Sequence, residues 1–268
     1  MINQSRLAAY QRCPKYYDYK YVQGLELITD NTIKRDFGSA FHRAQEVILL
    51  GYDLRTAILV TLDEFPDIFE NAPNTHNKNA LLRAIVWWHD LNLKDPLKIV
   101  HDANGEPVIE RYFEFAHQYV YDYFGTADRV VSFAGENWVA DSKTTGAYLT
   151  DNFLDKFELR LQSMLYVVAM KQHLDIPIAG FLIDAAHTLV NSTNFARRTY
   201  PYTDDQLREA LLTAGKIVNN IRTANFWRNT EACFSLGKCV YHDLCAAKSA
   251  PDFAAAKERY YINQENLS

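Results

Sequence analysis

The stretch GTADRVVSFAGENWVADSKTT, residues 125–145, decides the fold, because it predicts two short strands joined by a turn. Both halves are rich in β-branched and apolar residues, which is typical of strands. A four-residue loop, a common length for hairpins, would take up Phe133 to Glu136 and leave Ser132 paired with Asn137. The register of the whole hairpin follows from that pairing.

The register predicts a charged site. Counted outward from the loop, Asp128 falls opposite Asp141, and Lys143 shares the face of Asp141 because side chains alternate along a strand. Opposed carboxylates repel unless a cation or a shared proton lies between them. Oxygen ligands suit Mg²⁺ or Mn²⁺, and such a metal could activate water and neutralise charge on a phosphodiester. The alternative is a solvated hairpin face with ordinary charges.

The composition excludes several classes of protein. The chain has 268 residues, of which 48% are hydrophobic and 23% charged, as in soluble globular proteins. A net charge of -5 argues against a surface coated in basic residues, although a local basic groove stays open. No run of about 20 apolar residues predicts a transmembrane helix, and no secretory signal is visible. We therefore expect a cytoplasmic protein without a membrane partner.

The order of the predicted elements indicates an α+β fold. Helical patterns dominate residues 1–107, strand patterns and one long helix occupy residues 108–190, and residues 191–268 hold a C-terminal helix and a cysteine segment. No glycine- or serine-rich linker divides these parts. The sequence thus predicts a single domain over residues 1–268, with a small central mixed sheet flanked by helices and a helical N-terminal part.

The cysteines are distributed unevenly. Cys233, Cys239 and Cys245 lie in CFSLGKCVYHDLC, residues 233–245, and the fourth, Cys13, lies far upstream. In a reducing compartment such thiols are more often metal ligands or buried side chains than disulfides. Zinc sites usually contain ligand pairs two to four residues apart, and none occurs here, which favours an iron–sulfur cluster. Simple packing of buried thiols is the other interpretation.

Five motifs together resemble one family. GTADRVV…WVADSKTT resembles the central strands of PD-(D/E)xK nucleases, in the branch related to the RecB and AddB nuclease domains. SRLAAYQRCPKYYDYKY, GSAFHRAQE, LRLQSMLYVVAM and the closing cysteine segment resemble further motifs of that branch, in the same order. The resemblance covers most of the chain and implies a restriction-endonuclease-like core.

The resemblance also implies roles for individual residues. Asp128 and Asp141 would bind Mg²⁺ or Mn²⁺, His42 would reach the same metal, and Lys143 would act on the attacking water. Gln162 and Tyr166 lie one helical turn apart and would line the nucleic-acid groove. The ligands of a [4Fe–4S] cluster joining the two ends of the chain would be Cys13, Cys233, Cys239 and Cys245.

Other conspicuous residues receive minor roles from the sequence. Glu110 opens a strand near the expected site and would at most support the ligands from behind. His187 is expected to be structural. Phe195 to Arg198 read as a phosphate-contacting basic patch or a solvated loop.

The leading function is a metal-dependent deoxyribonuclease, most simply an exonuclease acting at DNA ends or on single strands, with DNA as partner. A helicase or recombination protein is a candidate second partner. The runner-up enzyme is an endonuclease or a processing subunit. Alternatives from other classes are a non-catalytic DNA-binding or scaffold subunit and an iron–sulfur redox protein, which would not need the carboxylate pair.

Overall fold

The chain forms two compact units. The computed structural model describes residues 2–28, 32–65, 76–120, 123–235 and 237–267. The first unit comprises residues 1–31, 115–124 and 211–268, and the second comprises residues 32–114 and 125–210. In the described part of the chain, no helix combines the length and the apolar character that crossing a bilayer requires.

Both units contain helices and strands. The α-helices are α1 (Gln4–Arg12), α2 (Pro14–Tyr17), α3 (Ile33–Leu49), α4 (Leu54–Glu64), α5 (Lys78–Asn92), α6 (Asp151–Asp155), α7 (Leu161–Leu174), α8 (Asp204–Arg222), α9 (His242–Ala246) and α10 (Ala250–Lys257). The strands are β1 (Ile2–Asn3), β2 (Leu25–Leu27), β3 (Lys98–Ile99), β4 (Ile109–Phe115), β5 (Tyr123–Phe133), β6 (Glu136–Thr145), β7 (Gly180–Thr188), β8 (Thr193–Pro201) and β9 (Tyr260–Ile262).

The hairpin of β5 and β6 has the predicted register but a shorter loop. Ser132 pairs with Asn137 as expected, and Phe133 also pairs with Glu136, so the loop has two residues rather than four. Those residues, Ala134 and Gly135, have positive φ angles of 53° and 85°. Two left-handed residues turn the chain in the sense that matches strand twist, which is why so short a loop closes the hairpin.

The sheet of the second unit is mixed, which confirms the predicted fold class. Its main strands follow the order β5, β6, β7, β8, and β3 and β4 also pair with β5. The pair β6–β7 is parallel, whereas β5–β6 and β7–β8 are antiparallel. The predicted alternating stretch over residues 108–133 becomes the two strands β4 and β5; Tyr121 and Asp122 lie outside the described residues.

Strand β8 was not predicted. Phe195 to Arg198, read from the sequence as a basic patch or a loop, lie in the middle of β8. Phe195 packs against the helical core, and both arginines form ion pairs. Both arginines pair with carboxylates of the protein. Their charges therefore do not require the exposure to solvent that the local sequence had suggested.

Helices flank the sheet and form its main core. Helix α3 packs on β6, and α5 packs on β7 and β8. The fully or nearly buried side chains of this core are Ile33, Phe37, Ala40, Phe41, Ala44, Phe65, Ala80, Leu81, Ala84, Ile85, Trp88 and Ala186. Helix α3 begins at Ile33, nine residues before His42, so the histidine lies in the interior of the helix.

Two helix starts follow the capping rules. Helix α8 begins after Thr203: the Gln206 N–H donates to the threonine hydroxyl at 3.3 Å, and the Gln206 side chain accepts from the Thr203 N–H at 2.9 Å. Such reciprocal bonds satisfy free N–H groups at a helix start. Helix α1 is capped by Asn3, whose side chain accepts from the Arg6 N–H.

The first unit joins segments that are distant in sequence. Strand β2 pairs antiparallel with β9, and β1 pairs in parallel with Tyr123 and Phe124, the first residues of β5. A small core surrounds the β2–β9 pair and consists of Tyr19, Leu25, Tyr241, Leu244 and Tyr260. Helices α1 and α2 carry the first of the four cysteines between them.

Candidate functional site

The end of the β5–β6 ladder brings His42 and Asp128 together. The ladder stops at the pair of Arg129 and Ala140. Just beyond it, the Ser142 N–H donates to Asp128 Oδ2 at 2.8 Å. From α3, His42 places Nε2 2.8 Å from the Ser142 carbonyl oxygen and Nδ1 3.2 Å from Asp128 Oδ2.

The contact with Ser142 places a proton on His42 Nε2. A carbonyl oxygen can only accept, so Nε2 carries a proton and donates it to Ser142. In the neutral ring, Nδ1 then presents a lone pair toward the carboxylate of Asp128. Two electron-rich atoms facing each other are stabilised by a cation between them, and a histidine held through its other nitrogen is the usual geometry of a metal ligand.

Glu110 completes a group of three candidate ligands. One ligand atom each from His42, Glu110 and Asp128 lies within 4.8 Å of the other two, and all three residues are half-buried. Glu110 adopts a φ of 44°, a left-handed conformation that is costly for a glutamate. Backbone strain of this kind concentrates at functional sites. The sequence had given Glu110 only a supporting place.

Asp141 and Lys143 form an ion pair beside this group. The Asp141 side chain is buried, that of Lys143 is half-buried, and Lys143 Nζ lies 2.7 Å from Asp141 Oδ2. Burial raises the pKa of Asp141, Lys143 opposes that shift and Asp128 adds to it. Burial alone would lower the pKa of Lys143, but Asp141 and Asp128 hold it above its ordinary value, so the lysine keeps its proton.

The donor set fits a divalent cation. Glu110, Asp128 and Asp141 outnumber the cationic Lys143, so the site carries excess negative charge when its carboxylates are ionised. Burial, followed by the charge of Asp128, raises the pKa of Glu110 to about 8. Carboxylate oxygens and one imidazole nitrogen are ligands that Mg²⁺ or Mn²⁺ would accept.

Gln162 and Tyr166 share one face of α7, as their spacing predicted. Tyr166 is nearly buried, with its ring edge against Phe113 at a centroid distance of 5.4 Å. Burial raises the pKa of its hydroxyl, a hydrogen bond with Gln162 lowers it, and the charges of Asp141 and Asp128 raise it further. The tyrosine therefore lies close to the carboxylates. Gly125 leaves room for the Phe113 ring that packs against Tyr166, since a Cβ at Gly125 would approach the Phe113 ring to 2.9 Å.

The site predicts a pH effect that Glu110 controls. In chelator-treated protein, we expect the melting temperature to fall as the pH rises from about 5 to about 8. The pKa of Glu110 is about 8 in the fold against an ordinary 4.5, so the folded protein keeps a proton that the unfolded chain has released. Its stabilising contribution is complete below the ordinary value and is lost as the pH passes the folded-state value.

Glu110→Gln should flatten this decline, because glutamine does not titrate. Glu114→Gln, at an exposed position of the same strand, is the matched control and should follow the wild type. If the melting temperatures of wild type and Glu110→Gln fall by the same amount as the pH rises over this range, the assignment of the effect to Glu110 is contradicted.

The four cysteines surround a different place, in the first unit. All four are half-buried free thiols, and they line one cavity of about 190 Å³. The Cys239 N–H donates to the Cys233 carbonyl at 2.7 Å, and the Asn229 N–H donates to Cys13 Sγ at 3.4 Å. Burial raises the pKa of Cys239 and Cys245, and the neighbouring thiols, Cys13 among them, add to this shift.

The cysteine sulfurs are not packed as single-ion ligands. With Zn–S bonds of about 2.3 Å, a tetrahedral zinc site holds its sulfurs within about 4 Å of one another. Among the described residues, three ligand atoms come within 4.8 Å at the His42 group and not at the cysteines. All four thiols line one cavity, but no three of their sulfurs lie within 4.8 Å of one another, so the predicted shared metal site stays a prediction.

The structure thus places the predicted residues in two groups. His42, Asp128, Asp141 and Lys143 lie together, with Gln162 and Tyr166 beside them. The residues that the sequence undervalued or missed are Glu110 and Ser142, whose backbone bonds both His42 and Asp128. An acidic residue opening a strand next to the Asp128 strand was the available signal for Glu110. His187 is buried in β7, with its ring edge against Tyr148.

Comparison with solved structures finds a protein of similar fold. A crystal structure from Eubacterium rectale, described as a "Putative exonuclease", is 12% identical and covers 83% of this chain and 80% of its own, with a TM-score of 0.53. At that identity the likeness shows the fold alone. The crystal structure of SSO0001 is 13% identical and covers 68% of this chain and 73% of its own, with a TM-score of 0.29.

No curated protein matches the chain significantly. The family model of the PD-(D/E)XK nuclease superfamily, in contrast, matches residues 1–246, which include both groups of predicted residues. The chain belongs to the PD-(D/E)XK nuclease superfamily.

Proposed function

We propose that this chain is a Mg²⁺- or Mn²⁺-dependent deoxyribonuclease that acts as an exonuclease at DNA ends or on single strands. The observation that carries the proposal is the group of His42, Glu110 and Asp128 beside the ion pair of Asp141 and Lys143. A nuclease needs negative ligands for a metal and a positive charge for the phosphate, and these five residues supply both.

The metal would be held by His42 Nδ1 and by carboxylate oxygens of Asp128, Asp141 and Glu110. When bound, it supplies Lewis-acid polarisation of the phosphodiester and lowers the pKa of water. Lys143 keeps its proton beside Asp141, so in this state it acts as a positive charge near the phosphate and not as a base. Asp141 is only 4% exposed in its side chain, and this burial strengthens its electrostatic attraction for a cation.

Gln162 and Tyr166 would line the groove for the nucleic acid. Arg160, exposed at the start of α7, is close enough for its charge to oppose protonation of Lys143. Its guanidinium lies 5.6 Å from the ring centroid of Phe157. An exposed arginine held by a ring is suited to contact a phosphate of the bound strand.

We further propose a [4Fe–4S] cluster in the cavity lined by Cys13, Cys233, Cys239 and Cys245. Four thiols around one cavity, at wider spacing than a single zinc requires, support it. With this cluster we assign the chain to the RecB- and AddB-like branch, acting as one domain over residues 1–268 in the cytoplasm. A helicase or recombination protein is the proposed partner besides DNA.

The test of the function is a cleavage assay with a choice of ends. Linear DNA labelled at either end, circular single strands and circular duplexes are incubated with purified protein and Mn²⁺, Mg²⁺ or chelator. We expect linear DNA to be degraded only when metal is present and the circles to survive, because an exonuclease needs an end.

Each other outcome has a distinct meaning. Cleaved circles would replace the exonuclease by an endonuclease, and cleavage in chelator would remove the metal from the mechanism. Tight DNA binding without hydrolysis in any metal would favour a non-catalytic DNA-binding or scaffold subunit. A labelled RNA of the same sequence separates deoxyribonuclease from ribonuclease activity.

A further inference from the structure

Ser142 is bonded through all of its polar groups. Its N–H donates to Asp128 Oδ2 at 2.8 Å, and its carbonyl accepts from His42 Nε2 at 2.8 Å. Its hydroxyl accepts from Arg129 Nη1 at 2.8 Å. Two of the three bonds therefore hold candidate metal ligands, and the third holds the serine itself.

Two neighbouring residues of β5, Asp128 and Arg129, form hydrogen bonds with Ser142 from opposite faces of the sheet. The backbone ladder between β5 and β6 ends at Arg129 and Ala140, so it does not reach Ser142. Asp128 and Arg129 point to opposite faces because side chains alternate along a strand. One bonds the peptide of Ser142 and the other its hydroxyl, and together they replace the backbone bonds that are missing here.

Arg129 is itself held by a chain of half-buried charges. Only 3% of Arg129 is exposed, and its Nη2 donates to Asp184 Oδ2 at 2.5 Å. Asp184 also accepts from Arg197 Nε at 2.6 Å, and Arg197 donates to both oxygens of Asp95 at 2.8 and 2.6 Å. In the sheet register Ser142 lies opposite Asp184, and Asp184 lies opposite Arg197.

The charges of this chain cancel. Two arginines, Arg129 and Arg197, face two aspartates, Asp95 and Asp184, so no net charge is left to attract substrate or metal. Burying ion pairs gains little stability over apolar packing of the same volume. What such a chain does supply is fixed geometry, because each planar guanidinium fork accepts only a narrow range of partner positions.

We propose that Arg129 and Asp184 are positioning residues of the metal site: they fix Ser142, and through its peptide they orient the Asp128 carboxylate and the His42 ring. The inference rests on the proposed metal-dependent function. Neither residue touches the metal, so their role is expressed in how tightly it binds. Loss of partners that orient metal ligands typically costs about 10- to 100-fold in metal affinity.

The test measures Mn²⁺ affinity, from the free-ion electron paramagnetic resonance signal, together with the melting temperature of the metal-free protein. Arg129→Met removes the hydrogen bond to the Ser142 hydroxyl, while Asp184 keeps its bond from Arg197. Ser142→Ala removes only the hydroxyl and leaves the ion pair of Arg129 and Asp184 in place. We expect the Kd for Mn²⁺ to rise about tenfold in Arg129→Met and by a smaller factor in Ser142→Ala.

Arg198→Met is the matched control. Arg198 is the next residue to Arg197 in β8, points to the other face and pairs with Asp151 and Asp155, which have no bond to Ser142. We expect its Mn²⁺ affinity to equal that of wild type even where its melting temperature falls. If it weakens Mn²⁺ binding as much as Arg129→Met, the loss reflects general destabilisation and the proposal is overturned.

The remaining outcomes are also decisive. If the Mn²⁺ affinity of Ser142→Ala is unchanged, the proposal is overturned even if Arg129→Met fails to fold. Ser142→Ala removes only the hydroxyl that accepts from Arg129. Wild-type protein that binds no Mn²⁺ overturns the metal site and this inference with it. Mn²⁺ binding that is lost in Asp128→Asn but unchanged in Ser142→Ala leaves the proposed function intact and overturns the positioning role alone.

Discussion

Replacing Lys143 by alanine is expected to abolish DNA cleavage while DNA binding and the fold persist. Lys143 lies 2.7 Å from Asp141 and keeps its proton, so it is a positive charge held beside the carboxylate at which we propose that the phosphate reacts. Removing one electrostatic contact to the transition state costs a factor on the order of 10³ in rate. Asp141→Asn should have an effect of the same order, because it removes a buried negative ligand.

The measurement is a single-turnover cleavage rate on end-labelled DNA in Mn²⁺, with melting curves and DNA affinity determined in parallel. Lys20→Ala is the matched control, since Asp18 and Lys20 repeat the Asp-x-Lys spacing in another part of the chain. Asp18 there bonds Lys15 and Gln23 and, among the residues that the structure describes, belongs to no group of three candidate metal ligands. A Lys143→Ala protein cleaving within tenfold of wild type would refute the site.

Replacing Cys13 by serine is expected to produce the largest loss of stability of any single change outside the second unit. If a cluster joins Cys13 to Cys233, Cys239 and Cys245, it closes a loop of more than two hundred residues. Closing a loop of that length lowers the entropy of the unfolded chain by an amount worth about 5 kcal/mol. Thiolate–metal bonds add to this value.

Protein purified without air should be brown and contain about four iron and four sulfide per chain, the content of a [4Fe–4S] cluster. Cys13→Ser should lose iron and melt at a lower temperature, whereas Ser235→Ala, at an exposed position of the same segment, should do neither. Mn²⁺ binding at Asp128 should survive in both variants. Colourless protein with one zinc per chain, or with no metal, would reject the cluster.

The hairpin shows why the central part of the site could be predicted from the sequence. Alternating residues on either side of a short turn left few registers that bury the apolar face, and the chosen one pairs Ser132 with Asn137 as observed. The fold class followed from the same region. The length of the loop did not, because Ala134 adopts a left-handed conformation that the sequence gives no reason to expect.

The remainder of the site depends on contacts between distant segments. Glu110 lies near His42 and Asp128 through a strained backbone conformation. Ser142 bonds the same two residues through its peptide groups, which every residue possesses. Strand β8 was missed because Arg197 and Arg198 look solvent-exposed until Asp95 and Asp184, or Asp151 and Asp155, are found beside them. Local pattern carries no information about such partners.

The pairing of β2 with β9 sets the order in which the chain can mature during synthesis on the ribosome. Leu25–Leu27 leave the exit tunnel more than two hundred residues before their partners, Tyr260–Ile262. At about 5–20 residues per second, the early segment waits on the order of ten seconds or more with Tyr19 and Leu25 uncovered. The second unit, whose segments lie between these strands in sequence, can collapse during that delay. A nascent chain halted before Tyr260 should therefore protect the described parts of residues 32–114 and 125–210 from protease and leave its first helices open to chaperones and to cleavage.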